Sequence, residues 1–93
     1  MPAIADPGRE MVLEAVHRSV RVVPIPGPSA VTTAMSVAGL PASSFWFLGF
    51  LPRRRNQRRH ALQEAADGTE TLVLFEAPHR LIFTLEDMLT IFG

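Results

Sequence analysis

The chain has 93 residues, 47% of them hydrophobic, enough for one small domain and hardly two. It lacks cysteine, which excludes disulfides and thiolate metal sites and fits a reducing compartment, and no apolar run approaches the length of a membrane span. Formal charge is zero, yet all nine basic residues are arginine and five of them fall between Arg53 and Arg59, which points to a local anionic partner.

The first residues carry Asp6 and Arg9 without an apolar core, so no signal peptide is visible and a cytoplasmic location is expected. Asp6-Pro7-Gly8 is expected to open a helix, with Asp6 as N-cap and Pro7 at the first helical position. Met11, Val12, Ala15 and Val16 share one face of it. Val20 to Pro24 reads as a short buried strand, and Ser29 to Ala38 as a helix ended by Gly39 as C′ residue. Phe45 to Leu48 suits a second buried strand. Gly49 to Pro52 and the arginine run then form a loop into a helix over Asn56 to Ala66, broken by Asp67-Gly68. Thr71 to Phe75 reads as a third strand, and Pro78 to Ile91 as a final helix. Three strands alternate with four helices, so the fold class is α/β. Three strands are thin for a self-sufficient sheet, and the chain reads as a piece of a larger protein.

The most informative segment is Val22-Val23-Pro24-Ile25-Pro26-Gly27-Pro28-Ser29-Ala30. A β-branched run feeds a rigid turn that opens into a helix of small residues. Prolines stiffen the turn, and Gly27 lets backbone approach a ligand. Open α/β sheets bind small molecules at such strand-to-helix junctions.

Several motifs stand in register with this segment: Met1-Pro2-Ala3-Ile4-Ala5-Asp6-Pro7-Gly8, Ala38-Gly39-Leu40-Pro41, Gly49-Phe50-Leu51-Pro52 and Phe75-Glu76-Ala77-Pro78-His79-Arg80. Together they resemble the tetrapyrrole-methylase superfamily, most closely its branch acting on small-subunit ribosomal RNA, and the resemblance covers essentially the whole chain. It implies two α/β domains, S-adenosyl-L-methionine held in the cleft between them, and a homodimer. It also implies methylation of a cytidine ribose 2′-hydroxyl. On this resemblance residues 1–26 are the end of the N-terminal domain and 27–93 the start of the C-terminal one. The positions it assigns to the cofactor are Met1, Ile4, Ser29, Ala30 and Glu76. The family's first glycine-containing strand-loop, the Ala-Gly pair before Met1 and the second half of the C-terminal domain have no counterpart here. The isolated chain is therefore expected to hold an incomplete cofactor site and to be inactive.

Each candidate also has a plainer reading. Ser29 can offer its hydroxyl and nearby free N–H groups to a cofactor, or simply cap its helix. Glu76 and His79 can face the cleft, or form a local Glu76–Arg80 ion pair and a surface or capping histidine. The run Arg53, Arg54, Arg55, Arg58, Arg59 suits phosphate forks, and without interleaved aromatic residues it would grip RNA backbone rather than read bases. Its plainer reading is a solvated helix start; yet no acidic residue interrupts it, and arginines at a helix N-terminus oppose the macrodipole. His17, His60 and His79 are far apart and lack carboxylates at ligand spacing, so no metal site is expected. No general base can be nominated. Alternatives are a tetrapyrrole or corrin methyltransferase, which has no need of the arginine run, and a non-catalytic RNA-binding or dimerising fragment.

Overall fold

Small and β-branched residues flanked by Pro and Gly break this chain into short elements, and the computed structural model describes all of residues 1–93. They are α1 (Arg9–His17), α2 (Ala30–Val37), β1 (Phe45–Phe50), α3 (Arg55–Ala66), β2 (Thr71–Phe75), a 3-10 turn (Pro78–Arg80) and α4 (Leu81–Phe92). The two strands pair in parallel, joined by α3 as a crossover helix. The fold is mixed α/β, with two strands rather than the three expected.

The missing strand is Val20–Pro24. A strand needs a partner for its N–H and C=O groups, and this segment is exposed and pairs with nothing in the sheet. The first helix also starts later than expected. Gly8, at φ 122°, is its N-cap, and the first helical bond runs from Val12 N–H to Gly8 C=O at 3.1 Å. Asp6 and Pro7 precede it in the turn. The apolar side of α1 faces no core, and none of its residues is buried.

The other elements form near their expected bounds, but β1 is not the buried strand expected: none of its residues is buried, and Trp46 and Phe50 are exposed. Gly39, at φ 69°, takes the left-handed conformation expected after a helix. β1 runs two residues beyond the expected Leu48, because a bulge interrupts its register between Phe47 and Gly49. Gly49 sits at φ 64°, a conformation a glycine adopts without strain, and pairing then resumes with Gly49 opposite Leu74 and Phe50 opposite Phe75. Edge-to-face contacts of Phe75 with Phe47 (centroids 5.0 Å apart) and Phe50 (5.7 Å) lock the strand ends. Pro78 opens a 3-10 turn before α4 rather than the α-helix itself.

The core is small. Its buried apolar side chains are Val31, Met35, Leu51, Leu62 and Ala65. Three polar residues are buried with them: Arg58, Thr84 and Asp87. α4 is inverted relative to an ordinary amphipathic helix, since it buries Thr84 and Asp87 while Ile82, Phe83, Leu85 and Leu89 are exposed.

Candidate functional site

Phe50 and Phe75 end the two parallel strands, and beyond their carboxyl ends lies a cavity of about 330 Å³. This is the edge at which open parallel sheets receive ligands. Four of the five residues assigned to the cofactor line it: Met1 and Ile4 from the N-terminal segment, Ser29 and Ala30 from the start of α2. Residues 25 or more positions apart in sequence are thus brought to one wall. Ala5 also lines the cavity and, with nearby Ala3, has a positive φ (50° and 69°). Left-handed backbone at a non-glycine residue costs about 1–2 kcal/mol.

Ser29 has extended backbone, φ −134° and ψ 127°, and is the N-cap of α2, yet its hydroxyl makes no capping hydrogen bond. The first helical bond there is Thr33 N–H to Ser29 C=O at 2.9 Å, so the amides of Ala30 to Thr32 have no partner within the helix. The plainer reading of Ser29 as a side-chain cap does not hold. A free hydroxyl and unpaired N–H groups stand at a mainly apolar cavity, whose other polar lining residue is Asp6.

Glu76, the fifth assigned residue, follows Phe75 directly but its carboxylate is turned to α4. Thr84 donates to one oxygen at 2.6 Å, while the Ala77 N–H (2.8 Å) and Arg80 Nε (3.1 Å) donate to the other. Burial alone would push its carboxyl upward, but these hydrogen bonds, led by Thr84, and the Arg80 charge hold it below its usual value. The local ion pair with Arg80 is therefore present, and the carboxylate does not line the cavity. His79 is exposed on the 3-10 turn.

The arginine run divides in space. Arg53, Arg54 and Arg55 are exposed, Arg59 is half-buried, and Arg58 is buried. What covers Arg58 is Asp87 of α4, a fully buried carboxylate that the sequence did not single out. Arg58 Nε donates to Asp87 Oδ2 at 2.6 Å, Arg59 Nε donates to Oδ1 at 2.8 Å, and Arg55 Nε lies 3.5 Å from Oδ1. Arg58 Nη1 also donates to the Arg53 carbonyl at 3.1 Å, tying the loop onto α3. Burial would raise the Asp87 pKa; the hydrogen bonds from Arg59 and Arg58 and their charges hold it below the usual range. The run is thus neutralised in part, by a carboxylate 28 residues away rather than by one among its neighbours. Its local trace in sequence is Thr84-x-x-Asp87, one turn apart, but Glu86 and Thr90 interrupt the same stretch Leu81 to Phe92, so the pair does not stand out.

A second concavity of about 430 Å³ lies between β1 and α3, walled by Trp46, Leu48, Leu51 and Pro52. It contains none of the assigned cofactor residues. His60 does have a carboxylate at helical spacing, contrary to the sequence expectation: its Nε2 lies 3.0 Å from Glu64 Oε1. That pair is exposed, and no third ligating side chain joins it.

The parallel strand ends, the small-residue helix start and the cavity between them belong to a recognisable class. The profile of the tetrapyrrole (corrin/porphyrin) methylases matches residues 1–92, and the chain belongs to that family. Among curated proteins it is 53% identical over 93 residues to a protein of Halalkalibacterium halodurans named "Ribosomal RNA small subunit methyltransferase I". Proteins of the same name from Vibrio cholerae and Thermotoga maritima are each 46% identical over 92 and 93 residues. These matches cover 99–100% of this chain but 32%, 32% and 41% of the three relatives, so the chain spans about a third of their length.

Proposed function

We propose that this chain is the domain-junction portion of an S-adenosyl-L-methionine-dependent methyltransferase whose parent enzyme methylates the ribose 2′-hydroxyl of a cytidine in small-subunit ribosomal RNA. The observation that carries the reading is the convergence of Met1, Ile4, Ser29 and Ala30 on one cavity at the carboxyl ends of β1 and β2. The name shared by the relatives supports the RNA substrate. Residues 1–26 are read as the end of one domain and 27–93 as the start of the next, with the Pro26-Gly27-Pro28 turn as their joint.

The cavity fits the cofactor's chemistry. Its volume falls in the range of small-molecule sites. Ile4, Phe50 and Phe75 provide apolar wall, and the unengaged Ser29 hydroxyl and free α2 amides provide donors for polar groups. Ala30 keeps the helix start small, so that backbone can close on the ligand. When bound, S-adenosylmethionine supplies a methyl group on a positively charged sulfur, and positioning then provides much of the catalysis. Glu76, held by Thr84 and Arg80, fixes the end of β2 beneath the site. The exposed guanidinium groups of Arg53, Arg54 and Arg55 are placed to bind phosphate oxygens without reading bases. A tetrapyrrole substrate has no use for such a face, which disfavours that alternative. A homodimeric, cytoplasmic parent enzyme accords with this reading, and no helix here is long and apolar enough to cross a membrane.

The test uses a parent protein of the relatives' full length with methyl-tritiated S-adenosylmethionine and small ribosomal subunits. Label recovered in a 2′-O-methylcytidine after nuclease digestion is the expected result. Label on a base, or none on RNA, would overturn the substrate assignment.

A further inference from the structure

Asp87 has no solvent exposure, and it sits under the arginine run. Its two oxygens take the Nε groups of Arg58 and Arg59 at 2.6 and 2.8 Å, and the second guanidinium arm of Arg58 reaches back to the Arg53 carbonyl at 3.1 Å. The Arg58 side chain is 7% exposed, while that of Arg55 is 63% exposed. A guanidinium that is almost wholly buried, with Nε on a buried carboxylate and Nη1 on a backbone carbonyl, is poorly placed to reach a phosphate as well. Arg53 and Arg54 have no such partner and stand in the loop that Arg58 ties down.

We infer that Asp87 is a positioning residue that divides the arginine run into an internal strut, Arg58, and an RNA-facing grip, Arg53 and Arg54, whose loop the strut holds in place. The inference rests on the RNA reading above and deepens it: the five arginines are not equivalent phosphate ligands. It also accounts for arginines at the start of α3, where the helix dipole disfavours them, because Asp87 supplies the compensating charge from α4. The device does not depend on the identity of the target nucleotide, because phosphate contacts position RNA without specifying sequence.

The experiment measures binding of the full-length parent protein to a fluorescein-labelled small-subunit rRNA transcript across a salt series, at temperatures well below each variant's melting point. Arg53→Gln and Arg54→Gln should each lower the log–log salt slope by about 0.7 to 0.9. Arg58→Lys, which keeps the charge but not the fork, should leave the slope unchanged while weakening binding at fixed salt. Asp87→Asn should also weaken binding, although it raises the protein's net charge by one, a change that by charge alone would tighten it. Should Asp87→Asn fail to fold, the comparison of Arg58→Gln with Arg54→Gln decides, since only the second should change the slope. An Arg58→Gln slope that falls as far as that of Arg54→Gln, or tighter binding by Asp87→Asn, would overturn the division of roles and leave the RNA reading standing. Slopes unchanged in every arginine variant would instead overturn the RNA reading, and the division with it.

Discussion

Asp87 concentrates the most consequential single contacts in the chain. Removing one member of a buried ion pair leaves an uncompensated charge, so Asp87→Ala should cost about 3–5 kcal/mol, measured by chemical denaturation. The same carboxylate and Glu76 set an acid limit. Both are held below their usual pKa in the folded state, so the unfolded chain takes up protons at higher pH than the folded one. Their stabilisation is complete above the unfolded carboxylate range of about 4 and is lost as pH falls through the lower folded values. Thermal midpoints should therefore be flat from pH 7 to about pH 5 and fall below it. In Glu76→Gln the acid loss should shrink, and an unchanged profile would remove Glu76 from this role. At this scale the cavity-lining residues Met1, Ile4, Ser29 and Ala30 were legible in sequence, because motif order carries them. Asp87 was not. Its role depends on a contact between α3 and α4, and beside Glu86 in the same helix Asp87 reads equally well as a solvent-facing residue.

Elements follow local chemistry where that chemistry is strong. α3 and β2 lie within a residue of their expected bounds, and Gly39 terminates its helix region as expected. The aromatic run from Phe45 forms its strand, but its extension to Phe50 depends on a bulge that hydrophobicity alone does not announce. Gly49 is the test. A methyl group there would meet only the Ala5 Cβ at 3.9 Å, an ordinary contact, so the cost of Gly49→Ala is conformational. Left-handed backbone at alanine should destabilise the fold by about 1–2 kcal/mol. Because the bulge aims Phe50 into the cavity wall, cofactor affinity in the full-length protein should fall as well. Affinity lost without any loss of stability would show that Gly49 acts through the cofactor directly. Val20 to Pro24 failed as a strand for the opposite reason: its β-branched sequence is suitable, but propensity cannot provide a hydrogen-bonding neighbour.

The whole molecule is open. Its accessible surface is 7378 Å², against about 5,300 Å² expected for a folded monomer of this mass. Its radius of gyration is 16.0 Å where about 12 Å is usual for this length. The excess surface is comparable to a standard protein interface and includes the outward apolar face of α4 and the unpaired edges of a two-stranded sheet. The isolated chain should therefore self-associate at micromolar concentration; sedimentation as a well-behaved monomer would count against this. The same openness means that the isolated chain should show no saturable cofactor binding. The α/β class and partial character of the chain were readable from its alternating elements and few strands, whereas its openness emerges only from the three-dimensional arrangement. Isothermal titration of S-adenosylmethionine into the full-length protein, wild type beside Ala30→Leu, tests the cavity assignment most directly. Ala30 is exposed at the cavity wall, and leucine is a good helix former, so the substitution should fill ligand space without overpacking a core. Saturable binding by wild type, with most of the affinity lost in Ala30→Leu at a nearly unchanged melting temperature, is the expected result; full affinity in Ala30→Leu would contradict the assignment of this cavity to the cofactor.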